Sequence, residues 1–181
     1  GIKLSTTKSV VCGNCKAVVD VSQGIGAGMA HYAQTNPHEP PISLGSTGRL
    51  AMPWLPGGGT PLPWQVVGYQ ERIELATAGD TAEAWREYLL YNRTEGFAFL
   101  VDTNDGWSLL RVLTGAPEVR DNRVEWDGVT YRQKWRYSSA VTYVLGEFYW
   151  PVAANQRTSH VDYEGREHGR TLKLSRESTP G

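Results

Sequence analysis

Apolar and polar side chains alternate along most of the chain, which is the pattern of strands that bury one face. The alternation is regular over 69–75 and again over 129–137. Residues 85–91 fit a further strand, and 141–150 is apolar on both sides, as expected of a central strand. Only 81–86 carries a pattern that could begin as a helix. The chain is therefore predicted to be mainly β.

Glycine-containing turns separate these strands. Asp102–Gly106 and Trp126–Val129 each contain an Asp-Gly pair, which tolerates positive φ and favours a hairpin. Strands at even spacing joined by such turns predict an antiparallel barrel or sandwich rather than βαβ units. The segments 64–91 and 129–148 each place an alternating strand before an aromatic-rich one, so a duplicated small barrel is a second interpretation.

Glycine and proline divide the chain into three parts. Residues 1–22 hold two short strands around a pair of cysteines, and the β domain is expected over 44–181. The intervening 23–43 contains a glycine cluster and three closely spaced prolines, which interrupt both helices and strand ladders. This part is therefore predicted to be a linker.

Composition narrows the class of protein without identifying an activity. The 181 residues are 40% apolar and 20% charged and carry a formal net charge of −1, so bulk charge implies no particular partner. Trp (7) and Tyr (9) outnumber Phe (3), which fits short strands with amphipathic rings. No apolar run reaches the roughly 18 residues that span a bilayer, and no leader is recognisable. We expect a cytoplasmic protein without a transmembrane segment.

Cys12 and Cys15 form one Cys-x-x-Cys pair with a glycine in the turn. Two thiolates at this spacing supply half of a tetrahedral zinc site, with sulfur about 2.3 Å from the metal. The other ligands would be His31 or His38, or a second cysteine pair upstream of the first residue, which is the interpretation we favour. No amphipathic helix follows Cys15, which disfavours a redox function, and two inert thiols are a further alternative.

Three carboxylates are the candidates for acid–base chemistry: Glu87, Glu147 and Asp162. A carboxylate within an apolar strand is costly unless it is hydrogen-bonded, so Glu147 stands out. Pairing with a nearby Arg, or with backbone amides, explains it better than catalysis does. No His has a Ser or Cys partner recognisable by spacing, which disfavours a hydrolytic triad.

Arg132, Lys134 and Arg136 alternate with aromatic and polar residues on one predicted strand. On a regular strand the three cations share a face, where they could hold single-stranded nucleic acid or an anionic surface. The near-neutral net charge is against strong phosphate binding, so a nucleic-acid partner is disfavoured.

Several blocks together resemble the bacterial Domain of Unknown Function 4178 family over about 42–181. The most specific block is Tyr143–Trp150, which contains Gly146-Glu147-Phe148. The other matching blocks are Ile42–Gly48, Val66–Tyr69, Trp85–Leu90, Asp162-Tyr163 and Leu174–Glu177. The family usually has prolines after the Asp-Tyr pair, whereas Glu164–His168 follows it here.

The resemblance implies a domain that often follows a zinc-ribbon-like segment with two cysteine pairs, and it implies no established activity. Genes of the family occur near genes for polyamine-synthesis-like enzymes and small membrane proteins, so the resemblance also implies an accessory role in a polyamine-linked or envelope-stress context. We therefore expect a non-enzymatic binding or adaptor module with a protein partner. Trp54 and Trp64, which bracket a Gly- and Pro-rich loop, are the predicted contact residues if their rings are exposed.

Overall fold

The computed structural model describes residues 7–11, 18–20, 31–32, 38–55, 59–76, 81–115 and 117–179. These residues form an antiparallel β structure, and they contain no helix. The prediction of a mainly β, antiparallel fold is confirmed, whereas the helical start at 81–86 is wrong because a strand begins at Ala84. The strands are β1 (Ser9–Val11), β2 (Val18–Asp20), β3 (His31–Tyr32), β4 (Thr47–Leu50), β5 (Leu62–Glu74), β6 (Ala84–Asn92), β7 (Gly96–Thr103), β8 (Gly106–Leu110), β9 (Glu118–Arg120), β10 (Arg123–Trp126), β11 (Val129–Phe148), β12 (Arg157–Glu167) and β13 (Arg170–Ser178).

The chain forms two compact units, and β11 runs through both of them. Unit 1 comprises 1–73, 84–112 and 141–155, and unit 2 comprises 74–83, 113–140 and 156–181. Boundaries between the units therefore fall within the residues predicted to form the β domain.

In unit 1 the strands lie in the order β3-β2-β1-β11-β5-β6-β7-β8, with β4 on β5. One apolar cluster includes Tyr69, Tyr88 and Leu90, and a second includes Leu89 and Phe148. Successive residues of β6 therefore contribute to different clusters, as period-two alternation requires. This explains why 85–91 contains so few polar residues.

The N-terminal strands belong to the same sheet. β1 and β2 fall where short strands were predicted, and β1 also pairs with β11 through Ser9 opposite Phe148. The Ser9 hydroxyl, fully buried, accepts a hydrogen bond from the backbone N–H of Val152 at 3.0 Å. Of the predicted linker, 31–32 and 38–43 are described, and residues 31–32 form strand β3.

Unit 2 contains β9, β10, the first part of β11, β12 and β13, in that order across the sheet. Asp127 and Gly128 both have positive φ in the turn between β10 and β11, as the Asp-Gly pair predicted. Val124, Val129, Tyr131, Val161 and Tyr163 form its buried apolar cluster. Gly165 lies against this cluster, because a Cβ there would come within 2.8 Å of Val129 Cγ1.

Candidate functional site

The outer edge of β8 is the most exposed apolar feature of unit 1. Trp107 is 53% exposed and Leu110 39% exposed, and Val112, just beyond the strand, is 62% exposed. β8 pairs with β7, and no strand among the described residues pairs with its other edge. We call this feature, residues 106–112, the β8 edge.

The register shows which backbone groups face outward. Thr103 and Gly106 form the pair nearest the two-residue turn, so they exchange both of their backbone hydrogen bonds. Bonded pairs alternate with non-bonded pairs, which directs the N–H and C=O groups of Ser108 and Leu110 towards β7. The corresponding groups of Trp107 and Leu109 therefore point away from the sheet.

Neighbouring strands hold Trp107 in place. The Tyr88 ring lies 6.0 Å from the indole, centroid to centroid. Asp102, directly opposite Trp107, accepts a 3.0 Å hydrogen bond from Arg86 Nη1. Burial raises the pKa of Tyr88, which is fully enclosed, so its phenol stays protonated at neutral pH. Trp107 thus packs against a buried aromatic ring of the sheet.

A cluster of hydrogen-bonded polar side chains in unit 1 centres on Glu71. Its Oε1 accepts hydrogen bonds from Tyr69 Oη at 2.5 Å and lies 2.8 Å from His38 Nε2. The His38 ring stacks on Tyr143 at 4.4 Å, and the Tyr143 hydroxyl bonds both backbone groups of His38. Burial, and next the hydrogen bond to Glu71, raise the pKa of Tyr69 strongly. The group anchors residue 38 to the sheet.

Glu87, one of the three candidate catalytic carboxylates, lies in a buried polar cluster on β5 and β6. It accepts hydrogen bonds from Gln70 Nε2 at 2.5 Å and from Trp85 Nε1 at 2.6 Å. Arg72 Nη1 lies 3.7 Å from it, and the side chains of Arg72 and Glu87 are 5% and 12% exposed. Glu87 thus accepts two hydrogen bonds and lies beside a buried arginine, so it serves to satisfy buried polar groups.

The other two candidate carboxylates have partners of their own. Glu147 accepts a 2.9 Å hydrogen bond from Thr7 Oγ1, and Asp162 accepts a 2.6 Å bond from Ser175 Oγ. Glu147 lies in unit 1 and Asp162 in unit 2. A concavity of about 450 Å³ follows the turn between β9 and β10, and its lining residues, 118, 120–123 and 125, include none of the three.

Unit 2 contains a serine–histidine–carboxylate arrangement that was not predicted from the sequence. Ser139 Oγ lies 2.8 Å from His160 Nε2, and His160 Nδ1 lies 3.6 Å from Glu177 Oε1. Tyr137 stacks on the His160 ring at 4.5 Å. Ser139 is fully buried and His160 is 1% exposed, so no substrate reaches the hydroxyl. Spacing could not reveal this group because its members lie on three separate strands.

The predicted basic stripe is corrected by a β-bulge in β11. Gln133 pairs with Tyr163, but Trp135 pairs with the next residue, Asp162, so Lys134 is an extra residue. Arg132 therefore faces the side of Glu164 and Asp162, whereas Arg136 lies opposite Val161 on the other side. Lys134 Nζ lies 3.4 Å from Glu164. The three cations do not share a face.

The two predicted contact tryptophans have different environments. Trp64 is 3% exposed and belongs to the core of unit 1, so its ring is not available at the surface. Trp54 is half-buried, and the guanidinium of Arg111 lies 5.8 Å from its ring centroid. Arg111 directly follows β8, so Trp54 borders the β8 edge.

Cys12 and Cys15 lie outside the described residues. Among the residues that are described, no three His, Cys, Asp or Glu side chains are grouped so as to hold a metal ion. His38, one of the proposed extra zinc ligands, has its ring nitrogen beside Glu71, and the backbone of His31 pairs with Val19.

The described residues contain no helix long and apolar enough to cross a membrane. No curated protein and no solved structure matches the chain. One family model, described as "Domain of unknown function (DUF4178)", matches residues 62–180, which is more than half of the chain. The match begins at the first residue of β5 and includes both the β8 edge and the strands of unit 2. The chain therefore belongs to the DUF4178 family.

Proposed function

We propose that this chain is a non-enzymatic binding module that captures an extended segment of a partner protein along β8. The observation that supports this proposal is the open outer edge of β8, where Trp107 and the nearby Val112 are more than half exposed. Exposed edges that carry large apolar side chains are uncommon on soluble proteins because they invite association.

The class of partner follows from the backbone. Trp107 and Leu109 direct two N–H and two C=O groups outward in the spacing of a strand, and a second polypeptide strand carries donors and acceptors at the matching spacing. Strand addition of this kind derives affinity from main-chain hydrogen bonds and specificity from alternate side chains. A protein segment is therefore a better occupant than a nucleic acid or a small molecule.

The side chains of the edge define the partner further. β8 itself, Gly-Trp-Ser-Leu-Leu, has no charged residue and no proline, the two usual protections of an edge strand. Arg111 follows it and has no carboxylate partner among the described residues; its contact is the Trp54 ring. The partner segment is expected to alternate apolar residues and to place an acidic residue near Arg111.

A peptide selection tests the proposal. Displayed random peptides of about ten residues, enough to pair along an ordinary strand, would be selected against the whole chain. The selected peptides would then be measured against wild type, Trp107→Lys and Trp135→Lys. Trp135 is a matched control because it is 51% exposed and lies in unit 2. Lysine at 107 should weaken binding by about tenfold or more, and lysine at 135 should not.

Hydrogen exchange provides an independent measurement. A bound strand should slow exchange at the outward amides of Trp107 and Leu109 while leaving Ser108, already bonded to β7, nearly unchanged. Equal binding by wild type and Trp107→Lys would refute the proposal. Dimers that lysine at 107 abolishes would show that the occupant is a second copy of the chain and not a foreign partner.

Zinc at Cys12 and Cys15 is a second part of the proposal. Its support is that β1 and β2 pair as antiparallel strands, with Val11 opposite Val18, on either side of the cysteine segment. Zinc content measured for wild type and for Cys12→Ser would test it, and equal content would contradict it. The cytoplasmic location stays a prediction from the sequence, and the envelope-stress or polyamine context stays a prediction from the family resemblance.

A further inference from the structure

The bulge in β11 assembles a new surface on unit 2. Beyond the bulge, Arg136 pairs with Val161, and Val161 pairs in turn with Arg176 of β13. Residues directly opposite each other in a sheet share a face, and so do residues two positions apart on one strand. The face therefore carries Arg136 and Ser138 from β11, Arg157 and Ser159 from β12, and Arg176 and Ser178 from β13, and we call it the arginine–serine face.

Charge is positive at the end of this face where Arg136, Arg157 and Arg176 lie. All three arginines are exposed, and none has a carboxylate partner among the described residues. Asp162, Glu164 and Glu177 occupy the opposite face, where they contact Ser175, Lys134 and His160. Glu167 is the one acidic residue of β12 and β13 on the same side; it lies opposite Arg170 at the far end of β12, about 20 Å from Val161 along the strand. A compensating anion for the three guanidinium groups is therefore not supplied by these strands.

The serines form a row between the arginines. Ser138, Ser159 and Ser178 lie opposite one another across three strands. Arg136 and Arg176 are diagonal neighbours of Ser159, at about 7–8 Å, and Arg157 is two residues away at a similar distance. An extended arginine side chain covers most of that distance. The three guanidinium groups can converge above the central hydroxyl of Ser159, which is exposed.

We propose that the arginine–serine face binds a phosphate group. Guanidinium groups donate paired hydrogen bonds that match the oxygens of phosphate, and serine hydroxyls supply further donors to the same oxygens. The ligand would be a phosphate monoester, either a soluble metabolite or a lipid headgroup, since both present the same dianion. This proposal does not depend on the function proposed for β8, which lies in unit 1.

The test titrates the whole chain with inorganic phosphate and measures binding from the changes in amide chemical shifts. Saturable shifts are expected at Ser159 and Ser178. Arg136→Gln and Arg176→Gln should each weaken phosphate binding about tenfold, as the loss of a charge-assisted hydrogen bond does. Arg132→Gln is the matched control, because Arg132 is an exposed arginine of the same strand on the opposite face. It should bind phosphate as wild type does.

Two further arms identify the source of the phosphate. Binding to vesicles of phosphatidic acid and neutral lipid, inhibited by inorganic phosphate, would make the ligand a lipid headgroup. Phosphate binding without vesicle binding would make it a soluble ester. The proposal is overturned if no saturable phosphate binding is found, or if Arg132→Gln weakens it equally. It is also overturned if a single-stranded oligonucleotide binds but phosphate does not, since that result indicates an extended backbone contact.

Discussion

Gly68 of β5 and Gly146 of β11 pack backbone against backbone. A Cβ on Gly146 would lie 3.0 Å from the Cα of Gly68 and would overlap the carbonyl oxygen of Val67. A Cβ on Gly68 would lie 2.8 Å from the carbonyl oxygen of Glu147. β5 also shifts register between Val66 and Gly68. Two blocks of the family resemblance thus meet at one close approach, which explains the glycine of the Gly-Glu-Phe block.

Gly146→Ala should strongly destabilise unit 1. Gly146 has φ +89°, and Gly96, with φ +78°, has no atom within 4 Å of an added Cβ. Alanine at 96 meets only the cost of positive φ, about 1–2 kcal/mol, whereas alanine at 146 adds overpacking of about 1–3 kcal/mol. Urea unfolding of both variants would measure the difference. Equal losses would show that the two strands separate easily.

Glu87→Ala should destabilise the fold by about 3 kcal/mol, because it removes the common acceptor of Gln70 and Trp85 and the anion beside buried Arg72. Glu118→Ala is the control. Glu118 and its partner Arg120 are mostly exposed, so the change should stay within about 0.5 kcal/mol. A small loss at Glu87 in thermal unfolding would mean that water replaces the carboxylate.

The buried pair of Ser139 and His160 should behave as a coupled unit. Ser139→Ala removes a 2.8 Å hydrogen-bond partner of a buried ring nitrogen and should cost about 1–3 kcal/mol. Ser139→Ala combined with His160→Phe keeps a ring stacked on Tyr137 and should recover part of that loss. Strictly additive losses in the double-mutant cycle would contradict a direct interaction.

Stability should fall at alkaline pH partly because of Tyr69. Burial raises the pKa of Tyr69 in the folded state, so the folded chain holds this proton when the unfolded chain has released it. Its contribution is complete below the ordinary pKa of about 10 and is lost as pH rises above that value. Tyr69→Phe should therefore lose less stability than wild type between about pH 8 and about pH 11. If unfolding measurements show that wild type and Tyr69→Phe lose equal stability over this pH range, ionisation of Tyr69 does not cause the alkaline loss.

Sequence periodicity predicted most of the strands because side-chain alternation depends only on local backbone geometry. The strands at 69–75, 85–91 and 129–137, and the two Asp-Gly turns, were located in this way. The single face predicted for Arg132, Lys134 and Arg136 is wrong, because β11 is not a regular strand there. The extra residue Lys134 moves Arg136 to the other face.

The environments of the predicted contact residues also depend on tertiary structure and not on local pattern. Trp54 and Trp64 are equally prominent in the sequence, but Trp54 is half-buried beside Arg111 and Trp64 is buried in the core. Nothing local distinguishes a surface tryptophan from a core tryptophan in a loop-flanked strand. Which strand is left at the edge, here β8, depends on the order of all strands in the sheet.

The sequence by itself determined the class of fold, the turns and the glycine-rich blocks, because these depend on φ, ψ and the period of the strand. Only the tertiary structure decided which side chains meet. Ser139, His160 and Glu177 come from three strands, as do the members of the arginine–serine face. Such groupings depend on register, and one bulged residue reverses the facing of every residue beyond it.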